Sequence, residues 1–126
     1  MESTQNKKTI LIVDDDIEFT FSLSSKFEAA GFITHVAVTG KEALEYVDSN
    51  QVDFIILDFV MPGMDGLEFY RTLTHDMRKN IPTIILTNFS GNQDTHDLEV
   101  YVKSETNLDE LVGKIKDRVS PPPASL

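Results

Sequence analysis

Four aspartates fall where the chain leaves an apolar run: Asp14, Asp15 and Asp16 directly follow Ile10–Val13, and Asp58 follows Phe54–Leu57. If those runs are neighbouring strands, about 4.8 Å apart, the carboxylates converge. Two like charges near 4 Å repel by about 4 kcal/mol at an effective dielectric of 20, so a fold does not gather them for stability. Either one carboxyl takes up a proton at a raised pKa, or a cation sits among them. An oxygen-only set suits Mg²⁺, which accepts one or two carboxylates, keeps water and shares phosphate oxygens. Taken singly, a strand-end acid is usually a solvated turn residue, and Asp16 is expected to cap a helix beginning near Ile17. The chemical reading rests on all four together.

Two further polar residues end apolar runs: Thr87 closes Ile84–Leu86, and Lys103 follows Val100–Val102. Carboxylates, a hydroxyl and an ammonium at one rim could hold a phosphoryl group. Mg²⁺ and Lys103 would offset its charge, and Thr87 would donate a hydrogen bond.

What must position these residues is an alternation of elements. The runs Ile10–Val13, Phe54–Leu57 and Ile84–Leu86 read as strands buried on both faces, while Phe32–Val38 and Val100–Val102 suit sheet edges. Between them lie helical patterns. Ile17, Phe21, Ser24 and Phe27 follow spacings of three to four, with Leu23 beside them and Gly31 as the stop. Thr39 with Glu42, and Asn107 with Glu110, resemble capping boxes. Leu67, Tyr70, Leu73 and Met77 share a face, as do Leu108, Leu111, Val112, Ile115 and Val119. A β-α unit repeated five times predicts an open parallel sheet covered by helices on both sides, with any ligand at the carboxyl ends of the strands.

Length and charge limit the possibilities. The 126 residues predict one domain, and a formal charge of −10 argues against non-specific binding to nucleic acid or anionic lipid by this segment. The absence of Cys excludes disulfides and thiolate metal sites. No run reaches the roughly 18 apolar residues of a membrane span, and the polar start reads as no secretory leader. The expected organisation is a disordered N-terminus at 1–7, a domain at 8–119 and a Pro-rich tail or linker stub at 120–126.

At this point the residues resemble a known family. Ile10-Leu-Ile-Val-Asp14-Asp15-Asp16, Asp58-Phe-Val-Met61-Pro62-Gly63-Met64-Asp65-Gly66, Ile84-Ile-Leu-Thr87 and Val102-Lys103 are similar to the motifs of the receiver domain of two-component response regulators. The resemblance implies a flavodoxin-like, doubly wound sheet of five parallel strands in the order 2-1-3-4-5. It implies that Asp58 accepts a phosphoryl group from a sensor histidine kinase or phosphotransfer protein, in a cytoplasmic phosphorelay with an unidentified output partner. It assigns Mg²⁺ to Asp15 directly, to Asp14 through water, to Asp58 and to the backbone carbonyl of Val60. Thr87 and Lys103 would engage the phosphoryl oxygens and pull on the loop after the fourth strand. Such a domain is a phosphoryl acceptor, not an enzyme. Asp58→Asn or Asp15→Asn is then expected to weaken stabilisation by Mg²⁺ and to stabilise the metal-free fold by removing repulsion.

The chain also departs from the family's pattern. Only the 12 residues 88–99 separate Thr87 from Val100, which predicts a shortened or missing fourth helix. The aromatic usually three positions before the Lys is replaced by Val100; Tyr101, one step later, should face the opposite side. Ser104 follows Lys103 where the family has Pro, so a trans bond is expected. Val60 and Phe89, each two positions beyond a site residue, are apolar and predict slow self-dephosphorylation. Two other readings compete: a receiver-like binding module uncoupled from phosphorylation, and a phosphatase of the haloacid dehalogenase type using Asp14 and Asp16. The phosphatase reading leaves Asp58 and its loop unexplained.

Overall fold

Each apolar run finds its hydrogen-bond partners in a parallel sheet. The computed structural model describes residues 7–61, 63–88 and 98–119. Strands β1 (Thr9–Val13), β2 (Ile33–Ala37), β3 (Phe54–Leu57), β4 (Thr83–Thr87) and β5 (Val100–Val102) are joined in the order β2-β1-β3-β4-β5, all pairs parallel. Helices α1 (Ile17–Ala29) and α4 (Leu108–Val119) cover one face, and α2 (Gly40–Ser49) and α3 (Gly66–Arg71) the other. The flavodoxin-like architecture expected from the resemblance is the one observed. The central strands β1, β3 and β4 carry Leu11, Ile12, Ile55, Leu57, Ile84 and Ile85 in full burial, as strands with helices on both faces require.

Local chemistry sets the helix limits. Asp16 Oδ1 accepts the Phe19 N–H at 3.0 Å and starts α1. At its other end Gly31 (φ +99°) turns the chain. There the Phe32 N–H donates to Phe27 O at 3.1 Å and the Gly31 N–H to Glu28 O at 3.0 Å, while the Phe27 and Phe32 rings meet edge to face. That is a Schellman stop with its hydrophobic contact. Thr39 Oγ1 accepts from the Glu42 N–H, the first half of the expected box at α2, while Glu42 Oε1 accepts from the Val38 N–H, one residue before the cap. Asn107 Oδ1 accepts from the Glu110 N–H at the start of α4.

Two apolar stripes differ from their periodicity. In α1 the buried positions are Thr20, Leu23 and Phe27, while Ile17 and Phe21 stand 64% and 74% exposed. Both candidate stripes contain Phe27, so composition alone does not choose between them; the sheet selects the one that faces Ile10 and Ile12. In the third helical segment Leu73 is buried and Tyr70 and Met77 pack against the same core, as their spacing predicts, but Phe69, outside that stripe, is the other large buried side chain; the helix then widens to a π-helical turn at Thr72–Asp76. There the Met77 N–H bonds back to Thr72 O, which shifts the face that meets the core.

Among the described residues no helix lies between β4 and β5. The expectation of a shortened fourth helix falls on residues 89–97, outside the described residues, as do Pro62, Phe89, His96 and the tail at 120–126. Tyr101 pairs with Leu86 and packs in the α1/α4 layer, whereas Val100 is exposed, so the displaced aromatic does face the other side. Among the described residues no peptide bond is cis, as expected after Lys103.

Candidate functional site

Register brings the acids together. Val13 of β1 stands opposite Leu57 of β3, so the next residues, Asp14 and Asp58, leave the sheet side by side. The Asp58 N–H donates to Val13 O at 2.9 Å and the Asp14 N–H to Ala37 O at 3.0 Å, which extends the ladder through both aspartates. Asp14 and Asp58 are buried and Asp15 is exposed; one carboxylate oxygen from each lies within 4.8 Å of the others. Asp16 does not join the cluster and caps α1.

Lys103 follows β5, whose Val102 pairs with Thr87. Its side chain is 7% exposed, and Nζ stands 2.7 Å from Asp14 Oδ2 and 3.6 Å from Asp58 Oδ2. The first contact is a charge-assisted hydrogen bond; the second is too long to be one and acts through charge alone. Of the two ways to relieve the carboxylate repulsion, a proton or a cation, the fold supplies a cation of its own. Burial pushes Asp14 above the ordinary carboxylate range; the hydrogen bonds from Lys103 and from the Asp16 N–H oppose that shift, and the charge on Asp58 adds to it.

These groups border an open cleft of about 430 Å³ at the carboxyl edge of the sheet, lined by Asp15, Asp16, Asp58, Val60, Thr87, Asn88 and Lys103. Thr87 is buried at its floor, and Val60 stands 59% exposed at its mouth. The Asp58 loop is held by its own backbone. The Val60 N–H donates to Asp58 Oδ1 at 3.2 Å, and the Gly66 N–H to Phe59 O at 3.0 Å. A Cβ on Gly66 would lie 2.6 Å from Asp58 O, so only glycine lets α3 start this close to the Asp58 loop. Met61 and Met64 pack in the α2/α3 layer. His35 stacks on Tyr46 at 3.8 Å and His75 is exposed; neither approaches the cluster.

The donor set fits Mg²⁺. All candidate ligands are hard oxygens, and Asp14 Oδ1 and Oδ2 are already engaged by the Asp16 N–H and by Lys103, which leaves that residue better suited to contact through water. One residue escapes sequence reasoning. The Phe19 ring lies beneath Lys103, with Nζ 4.4 Å from the ring centroid. Nothing in the spacing of Phe19 marks it, since it stands outside the stripe that periodicity favours.

Comparisons with known proteins agree with this geometry. The family profile described as response regulator receiver domain matches residues 10–107. The chain is 34% identical over 111 residues to the heme response regulator HssR of Staphylococcus epidermidis, covering 84% of this chain and 49% of the relative. It thus spans about half the length of the curated relatives it matches. Among solved structures it resembles the response regulator TrrA of Thermotoga maritima in complex with Mg²⁺-BeF, at 33% identity and TM-score 0.75, over 87% of this chain and 97% of that one. A CheY-like receiver domain of Methanospirillum hungatei superimposes with TM-score 0.80 at 25% identity, over 90% of this chain and 94% of that one.

Proposed function

Because the chain belongs to the response regulator receiver domain family, we propose that it is a phosphoryl-accepting switch in which Asp58 receives the group and Thr87 and Lys103 respond to it. The observation that carries this reading is the placement of the Asp58 carboxylate in an open cleft, beside Asp14, Asp15 and a buried ammonium. In the proposed transfer an Asp58 oxygen forms a bond to phosphorus. The bond to the phosphohistidine nitrogen breaks, and the imidazole leaves with the electron pair and takes up a proton. Asp14, Asp15, Asp58 and the Val60 carbonyl would hold Mg²⁺, which supplies charge compensation for the phosphoryl oxygens when bound.

Lys103 gives the second half of that compensation. Its ammonium turns from Asp14 toward the new group, and Thr87 donates to a phosphoryl oxygen, re-posing the chain that follows β4. Val60 lines the cleft, and Ile17 and Phe21 on α1, the helix that begins after the cleft residue Asp16, are exposed apolar side chains; together they offer a surface on which a histidine kinase or phosphotransfer protein can seat its phosphohistidine. Residues 8–119 form the receiver and 120–126 the start of a linker in this reading, and self-dephosphorylation is slow because Val60 and Phe89 are apolar. Neither the uncoupled module nor the phosphatase finds support in the comparisons.

The test is mass spectrometry with acetyl phosphate. A Mg²⁺-dependent gain of one phosphoryl group, mapped to Asp58 and absent in Asp58→Asn, is expected. No gain, or a gain that persists in Asp58→Asn, overturns the assignment.

A further inference from the structure

We infer that Phe19 is a positioning residue for Lys103, and that its ring face is the surface across which the ammonium passes from Asp14 to a group on Asp58. This inference rests on the receiver reading above. Its basis is a closed circuit of contacts. Asp14 Oδ1 accepts from the Asp16 N–H at 2.9 Å, and Asp16 Oδ1 accepts from the Phe19 N–H at 3.0 Å. The Phe19 ring faces Lys103 Nζ at 4.4 Å, and that ammonium donates to Asp14 Oδ2 at 2.7 Å. The residue that caps α1 therefore also holds the backbone of the residue whose ring lies under the cation, and the same carboxylate begins and ends the circuit.

The two contacts of the ammonium respond differently to movement. A hydrogen bond to Asp14 is directional and is lost when Nζ turns away. Attraction to a ring face is set by the quadrupole and extends to about 6 Å from the centroid. When Nζ turns toward Asp58, now 3.6 Å from it, it gives up Asp14 and closes over the ring from its resting 4.4 Å, so the ring contact is stronger with a group on Asp58 than without one, and only that difference favours the bound state. The ring also presents no acceptor that competes with phosphoryl oxygens, and it holds water off one side of a buried charge, which strengthens every electrostatic contact on the other. An aliphatic residue at position 19 would fill the space without attracting the cation. The ammonium would then depend on Asp14 alone and be less available to Asp58.

The experiment measures Mg²⁺-dependent binding of beryllofluoride, a phosphoryl mimic, by calorimetry. Alongside it, NMR reads the chemical shift of the Lys103 ε-methylene protons, which a ring beneath them moves upfield. Wild type is compared with Phe19→Leu, Phe19→Tyr and pentafluorophenylalanine at position 19, which reverses the quadrupole while preserving the ring's shape. Phe19→Leu and the fluorinated ring are expected to weaken beryllofluoride about fivefold to thirtyfold, the factor carried by a desolvated cation–π contact, and Phe19→Tyr is expected to restore wild-type binding. The upfield shift should be present in wild type without ligand and absent in Phe19→Leu. Equal affinity in all four proteins overturns the role of Phe19 while leaving the receiver reading intact. Failure of wild type to bind beryllofluoride in Mg²⁺ overturns both, and an unshifted Lys103 methylene in wild type overturns the placement of the ring itself.

Discussion

Removing the Lys103 ammonium tests the electrostatic core of the site. At an effective dielectric of 20 the ammonium attracts Asp14 at 2.7 Å by about 6 kcal/mol and Asp58 at 3.6 Å by about 5 kcal/mol. The two carboxylates, within 4.8 Å, repel by at least about 3.5 kcal/mol. Most of the attraction offsets the cost of burying the ions, so the number to expect is the one seen when one partner of a buried pair is deleted, about 3 to 5 kcal/mol. Lys103→Met keeps the length and apolar stem that pack over Phe19 and deletes only the charge. In buffer stripped of divalent ions it should lower stability by that amount and the melting temperature by about 10 °C or more.

The same variant should respond more strongly to Mg²⁺, because in wild type the ion must share Asp14 with Lys103 and in Lys103→Met it does not. A tenfold gain in affinity would appear as about 1.4 kcal/mol of extra stabilisation at saturating ion. Urea unfolding followed by circular dichroism, with chelator and with millimolar Mg²⁺, measures both quantities. A loss below about 1 kcal/mol in chelator, or a Mg²⁺ increment no larger than that of wild type, would refute the claim that this ammonium neutralises the carboxylates in the resting protein.

Asp58→Asn should leave metal-free stability within about 1 kcal/mol of wild type, since it removes a repulsion by Asp14 and an attraction by Lys103 of similar size; this revises the stabilisation expected from the sequence, and urea unfolding in chelator checks it. Replacing Val60 and Phe89 together with Asn should speed loss of the phosphoryl group, followed by mass over time, and an unchanged rate would exclude apolar shielding. Phe27→Ala, fully buried between α1 and the sheet, should cost about 3 to 5 kcal/mol, whereas Phe21→Ser should lie within about 0.5 kcal/mol of wild type by the same unfolding assay. Glu99 is held below the ordinary carboxylate range chiefly by its hydrogen bond from Arg118. A depressed folded pKa makes this contribution present above the unfolded value of about 4.3 and lost as pH falls through the lower folded one. Both groups are largely exposed, so Glu99→Gln should cost only about 0.2 to 1 kcal/mol at neutral pH and nothing in strong acid.

Much of this protein is legible without coordinates. Apolar runs of three or four residues, rich in Ile and bounded by polar or turn residues, are too short for buried helices and read as strands buried on both faces, and Gly31, Thr39 and Asn107 limit helices through bonds made within a few residues, so the alternation of elements follows from local chemistry. The position of the acids at strand ends is likewise a property of the chain. Which face of α1 is buried is not, because Ile17 and Phe21 are as apolar as Leu23 and Phe27 and only contact with the sheet separates them. Nor can the sequence show that a lysine 45 positions beyond Asp58 donates to Asp14 in preference to Asp58, or that Phe19 lies beneath it. Those contacts join β1, α1, β3 and the residue after β5, and distances between groups so far apart along the chain are set only when the sheet has assembled and its register has brought them to one edge.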